Sequence, residues 1–365
     1  MKIRIPASPT LSPSVLLENK ENLMSFLKEG GVKSYFFFGF ARTAIQEGIK
    51  ILGVRKGDSI LLPSYICDVV VPPISELGVN IDFYRILPNL HPDIADITTK
   101  INRKTKAILV VDYFGFPYDE SVRKIAEEND LYIIEDNAHS FLSKKNSRLL
   151  GTLGNIGVAG FRKILPVPDG AILFINDKAL LNNKMLNYDM VSKPDLLFIG
   201  YRMLLHIITY YKLPVHFLTR LSLTFNAKTM NSIKSTYGGN NRKIGISKIS
   251  LRIANNLNLQ KIAAKRRENY KFWLEKMNER KGVRVIFEKI PEGIVPQTFP
   301  IVVEKPQWFM KKLTKAGVPV SNWPSLPPQV QANKKYLDAN FLAKHLVTLP
   351  VHQDVILSRL QDLGI

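Results

Sequence analysis

An aspartate and a lysine in the middle of the chain carry side chains suited to one kind of cofactor chemistry. Asp136 ends an apolar run that begins at Leu131, which is the pattern of a buried strand that finishes in acid. Lys163 follows about one supersecondary unit later, six residues before Asp169. A lysine amine can bond to the aldehyde of pyridoxal phosphate (PLP), and a carboxylate can keep the ring nitrogen protonated so that the ring accepts electrons. The pair therefore predicts a PLP enzyme.

Short motifs around this pair occur in a fixed order over most of the chain. In sequence they are Arg42–Ile45, Leu62–Tyr65, Lys106–Val111, Tyr113–Pro117, Ile134–His139, Arg266–Tyr270 and Val347–His352. Their order and spacing resemble the DegT-type nucleotide-sugar aminotransferases, a family of fold type I PLP enzymes. Any one motif alone would fit an ordinary α/β protein whose aspartate caps a strand and whose lysine is solvated.

The resemblance implies which residues would contact the cofactor ring. Lys163 and Asp136 would be the catalytic pair, and Lys163 would also carry the proton during amino transfer. His139 matches the position where the family has a Gln or His near the ring oxygen, and Ala138 is small enough for the ring to pack against the backbone. Glu135 is expected to point the other way, because neighbouring side chains alternate in a strand.

The resemblance also implies a phosphate site at a strand-to-helix turn. Ala41, Arg42 and Thr43 open a predicted helix there, and amide groups at a helix N-terminus favour an anion. Arg42 departs from the small residues usual in the family, although its charge suits a phosphate. Cys67 stands where the family commonly stacks an aromatic ring on the cofactor, and a thiol stacks poorly.

Two other features of the family have no clear counterpart in this chain. A serine that usually contacts the phosphate is missing, and Val158 and Gly160 stand in its region. Asn241-Arg242 is the nearest match to the Asn-x-Arg-Met segment that lends a residue across the dimer. A homodimer remains the expectation. These departures bear on the substrate more than on the cofactor.

Alternating apolar runs and helical patterns predict the elements that would position these residues. Strands that alternate with helices favour a mostly parallel sheet covered on both faces, and ligands bind such sheets at the carboxyl ends of the strands. Asp136 and the turn Gly39–Arg42 both lie at such ends. The fold class is therefore α/β, a fold type I PLP-dependent transferase with a large, mostly parallel sheet domain and a smaller C-terminal α+β domain.

We place the PLP-binding large domain at residues 1–245 and the smaller domain at residues 246–365. Residues 180–245 read as an irregular apolar and basic segment. Helical spacing of apolar residues predicts a helix from Thr43 to Leu52 and one long helix from Ser247 to Met277.

The charge of the chain is unevenly distributed. The formal net charge is +20, and from Leu196 to Arg267 thirteen Lys and Arg occur without a single acid. Such a field attracts phosphate-rich substrates or acidic lipid, although a solvated basic surface is an equally simple alternative. No helix-turn-helix, zinc-finger or RNP signature suggests nucleic acid. The single Cys67 excludes a disulfide framework or a multi-Cys zinc site, and Met1–Thr10 has no apolar secretory core, so we expect the cytoplasm.

The apolar stretch Leu196–Phe225 is long enough to span a bilayer, but Arg202 lies within it and opposes insertion. Two interpretations remain open. The segment packs on the protein body or on a dimer partner, or it lies in a membrane interface with basic flanks. The second interpretation places the protein at the inner face of the membrane.

These observations favour an aminotransferase that moves an amino group from an amino acid such as glutamate to a keto-sugar, which we expect to be nucleotide-linked. The product would serve cell-surface glycan or related biosynthesis. One alternative is a PLP enzyme that acts on a non-sugar carbonyl or performs a dehydratase-like reaction. Dehydratase relatives replace the lysine by histidine, so Lys163 favours transamination. A second alternative is a non-catalytic relative that keeps the fold.

Overall fold

A computed structural model of the chain describes residues 5–181, 190–191, 193, 195–211 and 244–361. The helices are α1 (Asn22–Glu29), α2 (Ala41–Ile51), α3 (Val71–Ser75), α4 (Ile94–Lys100), α5 (Ser121–Glu128), α6 (Leu196–Tyr211), α7 (Lys248–Asn256), α8 (Leu259–Met277), α9 (Pro306–Ala316), α10 (Pro328–Gln331) and α11 (Leu337–His345). The strands are β1 (Tyr35–Phe38), β2 (Ser59–Pro63), β3 (Asn80–Tyr84), β4 (Thr105–Val111), β5 (Tyr132–Asn137), β6 (Lys144–Lys145), β7 (Arg148–Leu149), β8 (Ile156–Gly160), β9 (Ala171–Ile175), β10 (Met190–Val191), β11 (Ile244–Gly245), β12 (Val283–Val285), β13 (Phe299–Val303), β14 (Ser321–Asn322) and β15 (Leu346–Leu349).

A seven-stranded sheet with the order β1-β9-β8-β5-β4-β2-β3 forms the centre of the molecule. Strands β3, β2, β4, β5 and β8 are parallel neighbours, whereas β9 is antiparallel to both β8 and β1. The sheet is therefore mostly parallel, and the carboxyl ends of β1, β4, β5 and β8 meet at one edge. In the register, Asp136 of β5 lies between Val111 of β4 and Val158 of β8. The predicted α/β class is confirmed.

The helix after β1 begins earlier than its apolar pattern predicts. Helix α2 starts at Ala41 rather than Thr43, after an extended Phe40 at the N-cap. Its first turn therefore lies directly at the carboxyl edge of the sheet. Gly48 of this helix packs against β8, where an added Cβ would come within 2.5 Å of the Ile156 side chain.

The predicted long helix from Ser247 to Met277 is wrong in one respect, because it is two helices. Helix α7 ends at Asn256, and α8 begins at Leu259. The side chain of Asn258 accepts a hydrogen bond of 2.8 Å from the amide of Lys261, which caps α8 and favours a new start. Helix α7 packs against α1 near the N-terminus.

A second, smaller sheet lies in the C-terminal part of the chain. Its order is β12-β13-β15-β14, and all its neighbouring strands are antiparallel. Helix α8 packs against this sheet through the fully buried Trp273, whose indole N–H donates to the Pro350 carbonyl over 2.9 Å.

The segment that the sequence predicts to be irregular contains the sixteen-residue helix α6. Arg202 and His206 are one helical turn apart, and both face the N-terminal segment. Arg202 donates to the hydroxyl of Ser8, and His206 Nδ1 lies 3.0 Å from the hydroxyl of Thr10. The two polar residues interrupt the apolar run in sequence, which obscures the helical period. Within the described ranges, no helix is long and apolar enough to cross a membrane. Residues 212–225 of the predicted apolar segment lie outside those ranges.

Candidate active site

A cavity of about 450 Å³ opens at the carboxyl edge of the central sheet. Strand ends supply its floor: Val111 ends β4, Asp136 lies near the end of β5, and Gly160 ends β8. The turn between β1 and α2 and the turn after β8 form the sides. The volume lies within the range of small-molecule sites. The structure therefore has a binding site where parallel sheets of this kind usually have one.

Lys163 projects into this cavity from the turn that follows β8. The turn is closed by hydrogen bonds from Phe161 to the Gly170 carbonyl (3.0 Å) and from Ile164 to the Phe161 carbonyl (2.9 Å). Gly170 has φ +129°, and a Cβ there would come within 2.7 Å of the Phe161 ring. Lys163 remains accessible to solvent through the cavity although protein surrounds it. Burial lowers the pKa of its amine, and the negative charge of Asp136 partly opposes that shift.

Asp136 and Glu135 serve different purposes, as the alternation of side chains predicts. Asp136 lines the cavity, and its Oδ1 accepts a 3.0 Å hydrogen bond from the amide of Ala138. Burial raises the pKa of Asp136, while Lys163 lowers it. Glu135 instead accepts three backbone hydrogen bonds, of 2.7 to 2.9 Å, from the loop at 151–154. Only Asp136 is available to a ligand.

His139 lies in the cavity as a neutral imidazole with a defined donor. Burial, and then Lys163, hold the pKa of His139 well below its usual value. Its Nδ1 lies 3.4 Å from the amide of Phe114, so Nδ1 is the acceptor and Nε2 carries the proton. The ring stacks on Phe114 at a centroid distance of 5.4 Å. His139 can therefore donate one hydrogen bond to an oxygen in the cavity.

The first turn of α2 faces the same cavity through Ala41 and Arg42. Phe40 provides no side-chain cap, which leaves the amides of this turn to other acceptors. The Arg42 guanidinium carbon lies 5.3 Å from the centre of the Phe40 ring. Thr43 is the one predicted site residue that does not line the cavity; only its position in the first turn of the helix connects it to the site.

Cys67 lines the cavity near Lys163, although it is not an aromatic residue. Burial raises the pKa of its thiol, and the positive charge of Lys163 partly opposes this. Its Sγ donates to Asp68 over 3.6 Å. The thiol is therefore a neutral, compact part of the wall.

These groups together fit PLP. The cavity holds an amine, a buried carboxylate, a neutral ring donor and the start of a helix, which correspond to the aldehyde, ring nitrogen, ring oxygen and phosphate of that molecule. Gly160 and Ala138 both line the cavity and have little or no side chain, so neither position fills it. Each of these groups is of the type that the corresponding part of PLP requires.

The sequence profile of the DegT/DnrJ/EryC1/StrS aminotransferase family matches residues 31–362. The chain belongs to this family. The predicted resemblance is confirmed, and it covers most of the chain.

Individual relatives match this member of the family over shorter stretches or at lower identity. A GDP-perosamine synthase of Escherichia coli O157:H7 is 31% identical over 141 residues, which is 38% of this chain and 39% of the synthase. The chain thus spans about two fifths of that relative's length. The structure of the aminotransferase TlmJ of Streptoalloteichus hindustanus superposes with a TM-score of 0.71 at 19% identity. The match covers 98% of this chain and 96% of TlmJ. An E. coli GDP-4-keto-6-deoxy-D-mannose-3-dehydratase with bound hydrated PLP has a TM-score of 0.66 at 18% identity. This match covers 97% of this chain and 96% of the dehydratase. The two structures share the fold.

One aromatic residue of this family member was not predicted for the site. Trp323 directly follows β14 of the small sheet and lines the cavity together with residues of the central sheet. Its ring centre lies 5.6 Å from Lys163 Nζ and 4.5 Å from the His139 ring centre. Its carbonyl accepts a hydrogen bond from the hydroxyl of the fully buried Tyr65. No sequence signal near Trp323 connects it to Lys163.

Two arginines and a phenylalanine also line the cavity without having been predicted. Arg162 comes from the turn that carries Lys163, while Phe198 and Arg202 come from α6. The sequence signal for Arg202 was its isolation in an apolar run. That signal predicts a cost of membrane insertion and does not predict a contribution to a site.

Proposed function

We propose that the protein is a PLP-dependent aminotransferase that moves an amino group from an amino acid such as glutamate to a keto-sugar linked to a nucleotide. The observation that carries this proposal is the placement of Lys163 and Asp136 in one cavity at the carboxyl edge of the sheet. Membership in the DegT/DnrJ/EryC1/StrS family supports the reaction class. The name of the GDP-perosamine synthase relative supports a nucleotide-linked sugar.

Each predicted site residue has a role toward the cofactor in this proposal. When bound, PLP supplies an aldehyde for a lysine amine and a ring that accepts electrons. Asp136 would hold the ring nitrogen, and Nε2 of His139 would donate to the ring oxygen. The remaining contacts are the floor and wall at Ala138 and Cys67 and the phosphate turn at Ala41, Arg42 and Thr43.

Lys163 is the residue that moves the proton. Because burial lowers the pKa of Lys163, its amine is neutral more often near neutral pH than an exposed lysine is. A neutral Nζ can accept a proton from the carbon of the amino donor and return it at a neighbouring position. Its location in the turn after β8, beside Asp136 and Trp323, keeps it inside the cavity. The presence of lysine favours amino transfer over the dehydratase-like alternative.

Absorbance and mass spectrometry test this proposal directly. Purified protein incubated with PLP is expected to show a visible absorption band that bleaches when glutamate is added. After borohydride reduction, the pyridoxyl group is expected on the peptide that contains Lys163. Lys163→Ala is expected to lose both signals while keeping its fold by circular dichroism, and the exposed Lys261→Ala is a matched control that keeps them. A label on a different lysine, or bleaching that persists in Lys163→Ala, would refute the assignment.

We also propose two domains, at residues 1–245 and 246–365. The large sheet and most of the cavity belong to the first, and Trp323 belongs to the second. Trp323 then makes the active site depend on how the two parts are held together. Three hydrogen bonds support this connection: the Tyr65 hydroxyl donates to the Trp323 carbonyl, the Asp68 amide donates to the Ser325 carbonyl, and the Ser325 hydroxyl donates to the Asp68 carboxylate.

A homodimer with the active site near its interface is a further part of the proposal. Val69 lines the cavity and is 52% exposed, which leaves apolar surface at its rim for a second copy. Asn241-Arg242, the predicted cross-dimer segment, lies outside the described residues. Light scattering after gel filtration is expected to give about twice the 41.4 kDa of one chain. A monomer that binds PLP tightly and turns over would contradict the dimer.

Finally, we propose that the enzyme works in the cytoplasm and contacts the inner face of the membrane through α6. One side of this helix packs on the body through Phe198, Ile199 and Ile208. The opposite side exposes large apolar side chains: Leu196, Leu197, Leu204, Ile207, Tyr210 and Tyr211. An apolar face with basic neighbours suits an anionic membrane interface.

Vesicle co-sedimentation tests the membrane proposal. Binding to phosphatidylserine vesicles is expected at low salt and is expected to weaken at high salt, with little binding to phosphatidylcholine. Leu197→Glu should abolish binding, whereas Leu337→Glu should not, although these leucines are 69% and 68% exposed. Equal sedimentation of both variants, or none of the wild type, would leave α6 as a dimer or packing surface.

A further inference from the structure

The cavity carries more positive charge than the cofactor accounts for. Asp136 is the only acid among the described residues that line it, against four basic residues: Arg42, Arg162, Lys163 and Arg202. In the proposed function, Arg42 lies at the phosphate turn, and Lys163 is beside Asp136. Arg162 and Arg202 remain without a role in that scheme.

These two arginines form a pair around one aromatic ring. The guanidinium carbon of Arg202 lies 4.7 Å from the centre of the Phe198 ring, and that of Arg162 lies 6.0 Å from it. They come from distant parts of the chain, the turn after β8 and helix α6. Two like charges held this close repel one another, and the repulsion from Arg162 contributes to the lowered pKa of Arg202.

Arg202 is held firmly and remains a cation. Its Nη1 donates to the hydroxyl of Ser8, and its backbone carbonyl accepts from the amide of Leu11 over 3.2 Å. Burial is the main cause that lowers its pKa, to about 10, so it is charged at neutral pH. Its buried Nε has no hydrogen-bond partner among the described residues.

We propose that Arg162 and Arg202 form an anion subsite that binds the diphosphate of the acceptor substrate, on the α6 side of the cavity. The inference rests on the proposed function and adds the residues that would recognise the acceptor. Two guanidinium groups match the two charged phosphates of a nucleoside diphosphate, since each can bind oxyanions through paired N–H donors. The α-carboxylate of an amino donor carries one charge and would need only one of them.

Binding of GDP to PLP-loaded protein tests the subsite without turnover. Calorimetry is expected to give a dissociation constant that rises about 10- to 100-fold in Arg202→Gln, because a charge-assisted contact is lost. Arg202→Lys should fall between the two, since it keeps a charge but not the planar fork. Arg252→Gln, an exposed arginine in the same acid-free stretch, is the control and should bind GDP as wild type does. Inorganic diphosphate should compete with GDP in the wild type.

Titration with glutamate tests whether the two arginines bind the carboxylate of the amino donor or the diphosphate of the acceptor. The glutamate concentration that half-bleaches the visible band should change less than about twofold in Arg202→Gln, compared with the larger loss of GDP affinity. A shift for glutamate with unchanged GDP binding would assign the arginines to the donor and overturn the proposal. Wild-type protein that binds neither GDP nor inorganic diphosphate would overturn it too.

A second variant covers the case in which Arg202→Gln fails to fold. Arg162→Gln removes the partner guanidinium from a different element and should weaken GDP binding in the same way. Unchanged GDP affinity in a folded Arg162→Gln would then refute the subsite. Failure of the proposed function is a separate result: wild-type protein that does not bleach with glutamate could still show GDP binding that depends on Arg202.

Discussion

At the scale of single residues, the role proposed for Asp136 is one that a neutral side chain of the same shape cannot perform. A carboxylate beside the ring nitrogen of PLP stabilises a positive charge there, whereas an amide stabilises it far less. Asp136→Asn is therefore expected to bind PLP but to react with glutamate about 100- to 1,000-fold more slowly. Stopped-flow absorbance after mixing with glutamate measures this rate.

Asp82→Asn is the matched control for that experiment, because Asp82 is exposed on β3 and does not line the cavity. It should react at the wild-type rate. If Asp136→Asn reacts at a rate near that of the wild type, the contact to the ring nitrogen must be assigned to another residue.

The sequence predicts some site residues and misses others for a physical reason. Asp136 lies near the end of β5, and Ala138 and His139 directly follow that strand, so their relative positions are determined by local geometry. Trp323 and Arg202 reach the cavity only through packing of the small sheet and of α6 on the body. Neither the residue types of Trp323 and Arg202 nor their neighbours in the sequence predict those contacts.

At the scale of elements, boundaries depend on capping contacts that an apolar pattern does not contain. The strand β5 and the helix α2 were predictable from apolar runs and from their periodicity. The break between α7 and α8 was not, because apolar spacing continues across it. The break depends on the hydrogen bond that the Asn258 side chain accepts from the Lys261 amide, which competes with continuation of the helix.

Strand β8 gives a prediction at this scale through two of its glycines. A Cβ at Gly157 would lie 2.0 Å from the Gly151 carbonyl oxygen, in a loop that Glu135 holds by three hydrogen bonds. Because backbone atoms there cannot easily move, Gly157→Ala is expected to destabilise the protein by about 3 kcal/mol or more. Thermal unfolding measures the resulting fall in the midpoint.

Gly160→Ala on the same strand provides the comparison. Its Cβ would meet Ala138 at 3.8 Å, which is an ordinary contact, so the unfolding midpoint should change little. The same loss of stability in both variants would show that neither glycine position of β8 tolerates a side chain. A mild Gly157→Ala would mean that the loop at 151–154 moves more readily than its bonds suggest.

At the scale of the whole molecule, three distant segments close around the side of the cavity. The amide of Thr10 donates to Asp354 over 2.8 Å, His352 Nε2 donates to the Pro6 carbonyl over 2.8 Å, and Arg202 binds Ser8. The N-terminal segment is thus held between α6 and the segment after β15. Overall charge predicted an attraction for anions, but only this packing shows which cations face the cavity.

His352 makes the stability of this junction depend on pH. Burial, and then the charge of Arg266, lower its pKa to about 3, whereas an unfolded histidine has a pKa of about 6.5. The native state therefore binds fewer protons than the unfolded state between these values. The contribution of neutral His352 to the free energy of unfolding is fully present above about pH 6.5. It is lost as the pH falls below that value, at up to about 1.4 kcal/mol per pH unit. Between pH 7.5 and 5.0 the loss is about 2 kcal/mol.

His352→Gln is expected to show a smaller loss of stability between pH 7.5 and 5.0 than the wild type. Glutamine can still donate a hydrogen bond to Pro6 but has no proton to gain, so this residue's share of the pH dependence disappears. His139, whose pKa is also lowered by burial, continues to contribute in both proteins. The comparison is the difference in unfolding midpoint between the two pH values, with His91→Gln as a control at an exposed site. Equal pH dependence in the wild type and His352→Gln would mean that the histidine is protonated in the folded protein, and that the N-terminal junction accommodates its charge.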